Sequence, residues 1–142
     1  MSNLTEHMQS IRERKEAEIK SRLEYFLVDH ESLVPFVRMF EDFMWRDNNN
    51  LQINVRVGER QKEKFYRFLS ADIERPCIRV SICKNTYFLH INNDSDDTGL
   101  AINLSRIKRI KTENMETPKW NRYTAQFNYG KVDYNIEIIE NK

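Results

Sequence analysis

The chain has 142 residues, which suits a single domain built around one hydrophobic core. Its 23 basic and 22 acidic side chains leave a net charge of +1, so no overall field steers the molecule towards nucleic acid or an anionic membrane. Only three glycines occur, and they lie too far apart for a phosphate-binding loop or a nucleophile elbow, which excludes the dinucleotide-binding fingerprint and the P-loop.

The sequence also lacks targeting and metal-binding signals. No apolar stretch reaches signal-peptide length or the roughly 20 residues that span a bilayer, so we expect a cytoplasmic protein without a membrane partner. Cys77 and Cys83 lie on one predicted strand, ~20 Å apart at ~3.3 Å per residue, which is too far for a disulfide. The three histidines are scattered, so we expect reduced thiols, no metal and no cofactor.

A long helix is predicted over residues 4–30, because apolar side chains recur on one helical stripe and opposite charges stand four residues apart. The stripe consists of Leu4, Met8, Ile11, Ile19, Leu23 and Phe26. Residues 12–18 are dense in charge and can bury little. We therefore expect residues 1–18 to project from the domain or to meet a partner.

A second helix is predicted to start near Leu33, with Ser32 as its N-cap and Pro35 in its first turn. Its broad apolar face predicts a largely buried element. That face consists of Leu33, Phe36, Val37, Phe40, Phe43 and Met44. The polar residues 47–50 are predicted to end it.

Residues 51–57 alternate between apolar and polar and predict a strand. Residues 59–73 are ambiguous, since Phe65, Phe68, Leu69 and Ile73 fit a helical face while residues 64–69 also alternate. We predict a third helix there and keep a strand as the alternative. Pro76 marks the start of the next element.

A hairpin is predicted from residues 77–83 and 87–91, with one shared apolar face. That face consists of Ile78, Val80, Ile82, Tyr87, Leu89 and Ile91. The following loop has Asp94, Asp96 and Thr98 in the spacing of a calcium loop, but Ser105 stands where a bidentate Glu is needed. We therefore interpret it as a polar connection, after which Leu100, Ile102 and Leu104 resume the alternation.

The carboxyl-terminal region predicts a second hairpin with a defined register. With Gly130 and Lys131 as a two-residue loop, one face receives only apolar and aromatic pairs and the other only polar pairs. The first set is Tyr129 with Val132, Phe127 with Tyr134, Ala125 with Ile136 and Tyr123 with Ile138. The second set is Asn128 with Asp133, Gln126 with Asn135 and Thr124 with Glu137. Glycine as the first loop residue favours a type II′ turn.

Together these elements predict an α+β protein, in which two or three helices, mostly N-terminal, pack on one face of a five- to six-stranded antiparallel sheet with a C-terminal β-hairpin. The order of helix, helix, strand, helix and then several strands resembles that of nuclear-transport-factor-like domains. This resemblance in element order implies a curved, cone-like sheet.

A basic segment with interleaved aromatic residues is the strongest candidate site. Its cations could neutralise phosphates while its rings stack on unpaired bases. Its candidate binding residues are Arg106, Lys108, Arg109, Lys111, Lys119, Trp120, Arg122 and Tyr123. The alternative is that Ile107 and Ile110 anchor a short element whose charges face water.

Two further surfaces are candidates. Arg79 and His90 are predicted to lie together on the mixed face of the first hairpin, where RNA or protein could bind. The stripe residues Leu4, Met8 and Ile11 exceed what the core requires, which indicates self-association as a homodimer or contact with another protein.

These features favour a small non-catalytic binding protein that acts as a regulator or inhibitor by occupying a macromolecular partner, with protein favoured over nucleic acid. The first alternative is single-stranded nucleic-acid binding through residues 106–123. The second is a cone-shaped pocket enzyme or small-ligand-binding protein whose cavity is lined by Tyr87, Tyr134 and Trp45.

Overall fold

A computed structural model describes residues 2–93 and 99–142, so the polar connection predicted at residues 94–98 lies outside the described residues. The helices are α1 (Ser2–Val28) and α2 (Val34–Glu41), and two short 3-10 helices span Glu31–Leu33 and Leu104–Arg106. The strands are β1 (Leu51–Gln61), β2 (Lys64–Glu74), β3 (Pro76–Cys83), β4 (Thr86–Asn93), β5 (Gly99–Asn103), β6 (Ile107–Glu116), β7 (Trp120–Tyr129) and β8 (Val132–Asn141).

The strands form two antiparallel sheets. One has five strands in the order β2-β1-β8-β7-β6, and the other has three in the order β3-β4-β5. The chain passes from the large sheet to the small one at Arg75, a single residue with φ of 50° between β2 and β3, and returns through the 3-10 helix Leu104–Arg106 between β5 and β6. The predicted α+β class is confirmed, with helices packed on the sheets and a carboxyl-terminal hairpin.

The predicted long first helix is confirmed, and the second is shorter than its sequence pattern indicates. Ser32 lies in the 3-10 turn before α2, which begins after Leu33 without a side-chain cap, so the predicted N-cap is wrong. The helix ends at Glu41 because the chain then joins the small sheet. Met44 forms a parallel bridge with Ile78, and the Trp45 amide donates to the Ile78 carbonyl at 2.9 Å.

The register of the β7–β8 hairpin is confirmed pair by pair, from Tyr129 opposite Val132 to Tyr123 opposite Ile138. Gly130 has φ of +64°, as the first loop residue of a type II′ turn requires. Phe127 and Ile138 are buried on the face that α2 covers, where the rings of Phe36 and Phe127 meet edge to face at 5.1 Å. The polar pairs lie on the opposite side, which we call the outer face.

The helix predicted at residues 59–73 is wrong, because this region forms the end of β1 and the whole of β2. Lys62 and Glu63, with φ of 47° and 71°, make a two-residue turn between them. A bulge then interrupts the alternation, since Val57 pairs with Leu69 while Gly58 pairs with Arg67. The skipped residue lengthens the spacing between apolar side chains from the two residues of a strand towards the roughly 3.6 residues of a helix. The resemblance to nuclear-transport-factor-like domains required a third helix at this position, so the element order no longer matches.

The predicted β3–β4 hairpin is confirmed, with Ile78 opposite Ile91, Val80 opposite Leu89 and Ile82 opposite Tyr87. Its apolar face packs under α1, where the Phe26 and Tyr87 rings stack at 4.4 Å. The buried residues of both helices and both sheets form one cluster. No helix in the described part of the chain is long and apolar enough to span a membrane.

Candidate functional site

The basic segment is divided between two strands and two faces. Lys108 and Lys111 lie on β6, at the edge of the large sheet, opposite the outer-face residues Asn128 and Gln126. Arg109 lies between them in a bulge with φ of 56°. These three cations therefore meet at one end of the outer face.

The other predicted residues of the segment do not join that cluster. The Arg106 guanidinium lies 4.8 Å from the centre of the Tyr129 ring. Lys119 precedes Trp120 at the opposite end of β7, and Arg122 pairs with Glu137 at 2.6 Å. Tyr123 faces α2, with its ring 6.1 Å from Phe43. Residues 106–123 therefore do not form one continuous binding surface.

The apolar stripe of α1 is divided between the core and solvent. Leu23 is buried in the core, whereas Leu4, Met8 and Ile11 are 67%, 61% and 36% exposed. The apolar stripe of a surface helix normally faces the core on which the helix packs. The first half of α1 thus carries apolar surface that nothing in the described chain covers.

A groove lies between this half of α1 and the side of β3 and β4 that faces away from the core. Its volume is about 600 Å³. Met8, Ile11 and Ile19 line one wall, and Trp45 contributes further apolar surface. We call this feature the helix groove.

The charges along the helix groove are predominantly basic. Arg12 and Lys15 line it from the helix and Arg79 from β3, against the single carboxylate of Glu16. The Lys20 ammonium lies 5.5 Å from the centre of the Trp45 ring and adds a further cation close by. The groove therefore combines apolar walls with a positive potential.

Ser81 and His90 form a hydrogen-bonded pair at the floor of the groove, with Ser81 Oγ and His90 Nε2 2.6 Å apart. Burial, with a smaller contribution from Arg79, lowers the pKa of His90 below its ordinary value. A neutral imidazole can accept a proton from a serine, but nucleophilic catalysis also needs a group that orients the ring. Within residues 2–93 and 99–142, no carboxylate is bonded to His90. The pair is thus a polar contact on the groove floor.

The aromatic residues predicted to share a cavity occupy separate environments. Tyr87 is buried, and its hydroxyl donates to the Arg22 carbonyl at 3.3 Å. Tyr134 stacks on Phe127 with ring centres 5.2 Å apart. Trp45 lines the helix groove.

The sequence placed several groove residues in separate candidate surfaces but did not predict the groove. Period-2 alternation predicts that Arg79 and His90 share a face, and the structure pairs them directly across β3 and β4. Periodicity cannot show that the first half of α1 lies beside that face. Trp45 was predicted to line a cavity with Tyr87 and Tyr134, and it lines the helix groove without them.

Comparisons with protein-family models, curated proteins and solved structures found no match to this chain. No group of three or more potential metal ligands occurs among the described residues. The molecule is an α+β protein with an apolar, basic groove beside its first helix.

Proposed function

We propose that this chain is a non-catalytic binding protein whose helix groove docks an acidic, amphipathic segment of a protein partner. The observation that carries this proposal is the uncovered half of the α1 stripe, which opens into a basic groove. Amphipathic segments bind such grooves by burying apolar side chains at helical spacing. Occupancy of the partner would be the mechanism of regulation.

The charges select the kind of partner. Arg12, Lys15 and Arg79 attract carboxylates along the polar edges of a bound segment, and this complementarity favours an acidic sequence. Nucleic acid gains affinity mainly from phosphate contacts and base stacking, neither of which uses exposed Met8 and Ile11. A protein segment uses both the apolar and the basic parts of the groove.

A second copy of the chain fits the groove less well. A twofold contact places the same patch on both subunits, so the cations of one groove would face those of the other. Like charges brought together in this way oppose association. A homodimer is therefore the competing outcome of the test.

The test uses two labelled amphipathic peptides that share a leucine face and differ in having glutamate or lysine on the other face. We expect the acidic peptide to bind the full chain in fluorescence anisotropy, and its affinity to fall with added salt. Met8→Glu should weaken it at least about tenfold, since it removes a buried apolar side chain from the contact. Gln9→Glu is the matched control, with the same added charge one residue away.

Equal binding of the two peptides, or no binding of either, would overturn the proposal. So would equal effects of Met8→Glu and Gln9→Glu. Sedimentation of the unliganded chain addresses the homodimer. A dimer that Met8→Glu dissociates and Gln9→Glu leaves intact would assign the groove to a second copy.

A further inference from the structure

A second cavity crosses the outer face of the large sheet, at the end where the β1–β2 and β7–β8 turns lie. Its volume is about 420 Å³, within the usual range of small-ligand sites of roughly 300–1,000 Å³. All five strands contribute to its lining, from Phe65 on β2 to Lys111 on β6. We call it the outer-face cavity, and it shares no lining residue with the helix groove.

An aromatic ring rests on the backbone at one end of this cavity. Gly58 lies across from Arg67, and a Cβ atom at position 58 would stand 2.6 Å from Cζ of Phe65. Glycine at this position therefore lets the ring approach the strand. Phe65 remains 39% exposed and lines the cavity, so it offers a stacking surface.

The middle of the cavity is lined by amide side chains. Gln126 and Asn135 are direct cross-strand partners and make no side-chain hydrogen bond within the described chain. Each amide presents a donor and an acceptor, the combination that pairs with the edge of a nucleobase. Asn128 differs, because its amide donates to the Asp133 carboxylate.

Cations line the other end. These are Arg109 and Lys111, which form no ion pair among the described residues. At the Phe65 end, Arg60 lies 4.0 Å from Asp133 and offsets its charge. In a regular strand, Lys108 and Lys111 would point to opposite faces. The bulge between them places both on the outer face and leaves Arg109 at the cavity.

We propose that the outer-face cavity binds a nucleotide. The base stacks on Phe65, the amides of Gln126 and Asn135 read its edge, and Arg109 and Lys111 hold the phosphate. Four interstrand steps separate β2 from β6, or roughly 19 Å at about 4.8 Å each, which accommodates base, sugar and phosphate in a row. The unit can be a free nucleotide or part of a single-stranded nucleic acid, since both present the same groups.

The experiment measures binding of nucleoside 5′-monophosphates, a short single-stranded RNA, ribose 5-phosphate and inorganic phosphate to the full chain at low salt. Amide chemical shifts locate each ligand. We expect ligands with a base to shift the signals of Gln126 and Asn135 and to bind more tightly than the two without one. Binding by the mononucleotides identifies a free nucleotide as the source, and binding by the RNA alone identifies a strand.

Variants separate this cavity from the wider basic segment. Lys111→Gln should weaken binding about tenfold by removing a charge-assisted hydrogen bond. Phe65→Leu should weaken it by about five- to tenfold through loss of stacking, while keeping an apolar cover over Gly58. Lys119→Gln makes the same charge change at the far end of β7 and should leave binding unchanged.

Three results would overturn the proposal. One is that no ligand with a base binds at low salt. Another is that phosphate or ribose 5-phosphate binds as tightly as the nucleotides, which would reduce the cavity to an anion site. The third is that Lys119→Gln and Lys111→Gln have equal effects. None of these results bears on peptide binding in the helix groove.

Discussion

At the scale of single residues, Asn48 holds the connection between α2 and β1 in place. It is the buried polar residue of the described core, with 3% exposure. Its amide nitrogen lies 3.0 Å from the Phe43 carbonyl, 3.2 Å from that of Arg46 and 2.9 Å from that of Pro76. One side chain thus joins the end of the helical region to the first residue of β3.

Replacing Asn48 with Ala should lower the free energy of unfolding by about 1–3 kcal/mol, because buried carbonyls lose their donor. Urea denaturation measures this change. The control is Asn49→Ala, at an exposed neighbouring position, where we expect a change within about 0.5 kcal/mol. Equal losses in the two variants would contradict the role assigned to Asn48.

At the scale of elements, predictions succeeded where local chemistry defined the structure. The β7–β8 register follows from side-chain alternation and one glycine at the turn, and both lie within a short stretch of sequence. The prediction for β2 was wrong because the amino-acid composition of the strand does not reveal its bulge. The turn before β2 was not predicted either, since Lys62 and Glu63 adopt positive φ without the Asn or Gly that usually signals such a turn.

Glu63 has φ of 71°, a conformation that costs a residue with a Cβ atom more than it costs glycine. Glu63→Gly should therefore raise the free energy of unfolding by about 0.5–1 kcal/mol, after allowing for the greater entropy of glycine in the unfolded chain.

The control is Lys64→Gly, at the first residue of β2, where φ is not positive. Glycine within a strand weakens it, so this variant should lose stability in the same thermal denaturation experiment. A loss of stability in Glu63→Gly would show that the turn in solution differs from the one described.

Both edge strands of the large sheet contain a bulge. β2 and β6 are both edge strands, and each carries a shift in register. Bulges twist an edge away from pairing with another chain. On β6 the same irregularity also places the Lys111 side chain on the outer face, so one feature serves the fold and the proposed site.

At the scale of the whole molecule, the sequence predicted faces but not which faces meet. Alternation placed Gln126 and Asn135 on the polar side of their hairpin, and the helical stripe separated Leu23 from the charged surface. The described strands divide into two sheets, and the chain crosses between them at Arg75 and again at the 3-10 helix Leu104–Arg106. Both cavities arise from contacts between segments that are distant in the sequence, and the periodicity of side chains within one segment cannot reveal such contacts.

Shifted pKa values predict that stability declines on both sides of neutral pH. Burial lowers the pKa of His90 from 6.5, so below about 6.5 the unfolded chain binds the proton more readily and the folded state is disfavoured. Hydrogen bonding to Arg38 lowers the pKa of Glu24 from 4.5, and the stability this provides is lost as pH falls through the folded value. Burial raises the pKa of Tyr123 and Tyr134 above 10.0, so ionisation disfavours folding at alkaline pH.

Urea denaturation across pH tests this prediction, and His90→Gln isolates one contribution. The free energy of unfolding should fall between pH 7 and pH 5, and the variant should show a smaller fall because it has no imidazole to protonate. Glu24 is half exposed, so its part should be small and confined to more acidic conditions. An equal fall in the two proteins between pH 7 and pH 5 would mean that the His90 pKa is not depressed in the folded chain, and that Ser81 and β3 do not shield it from water.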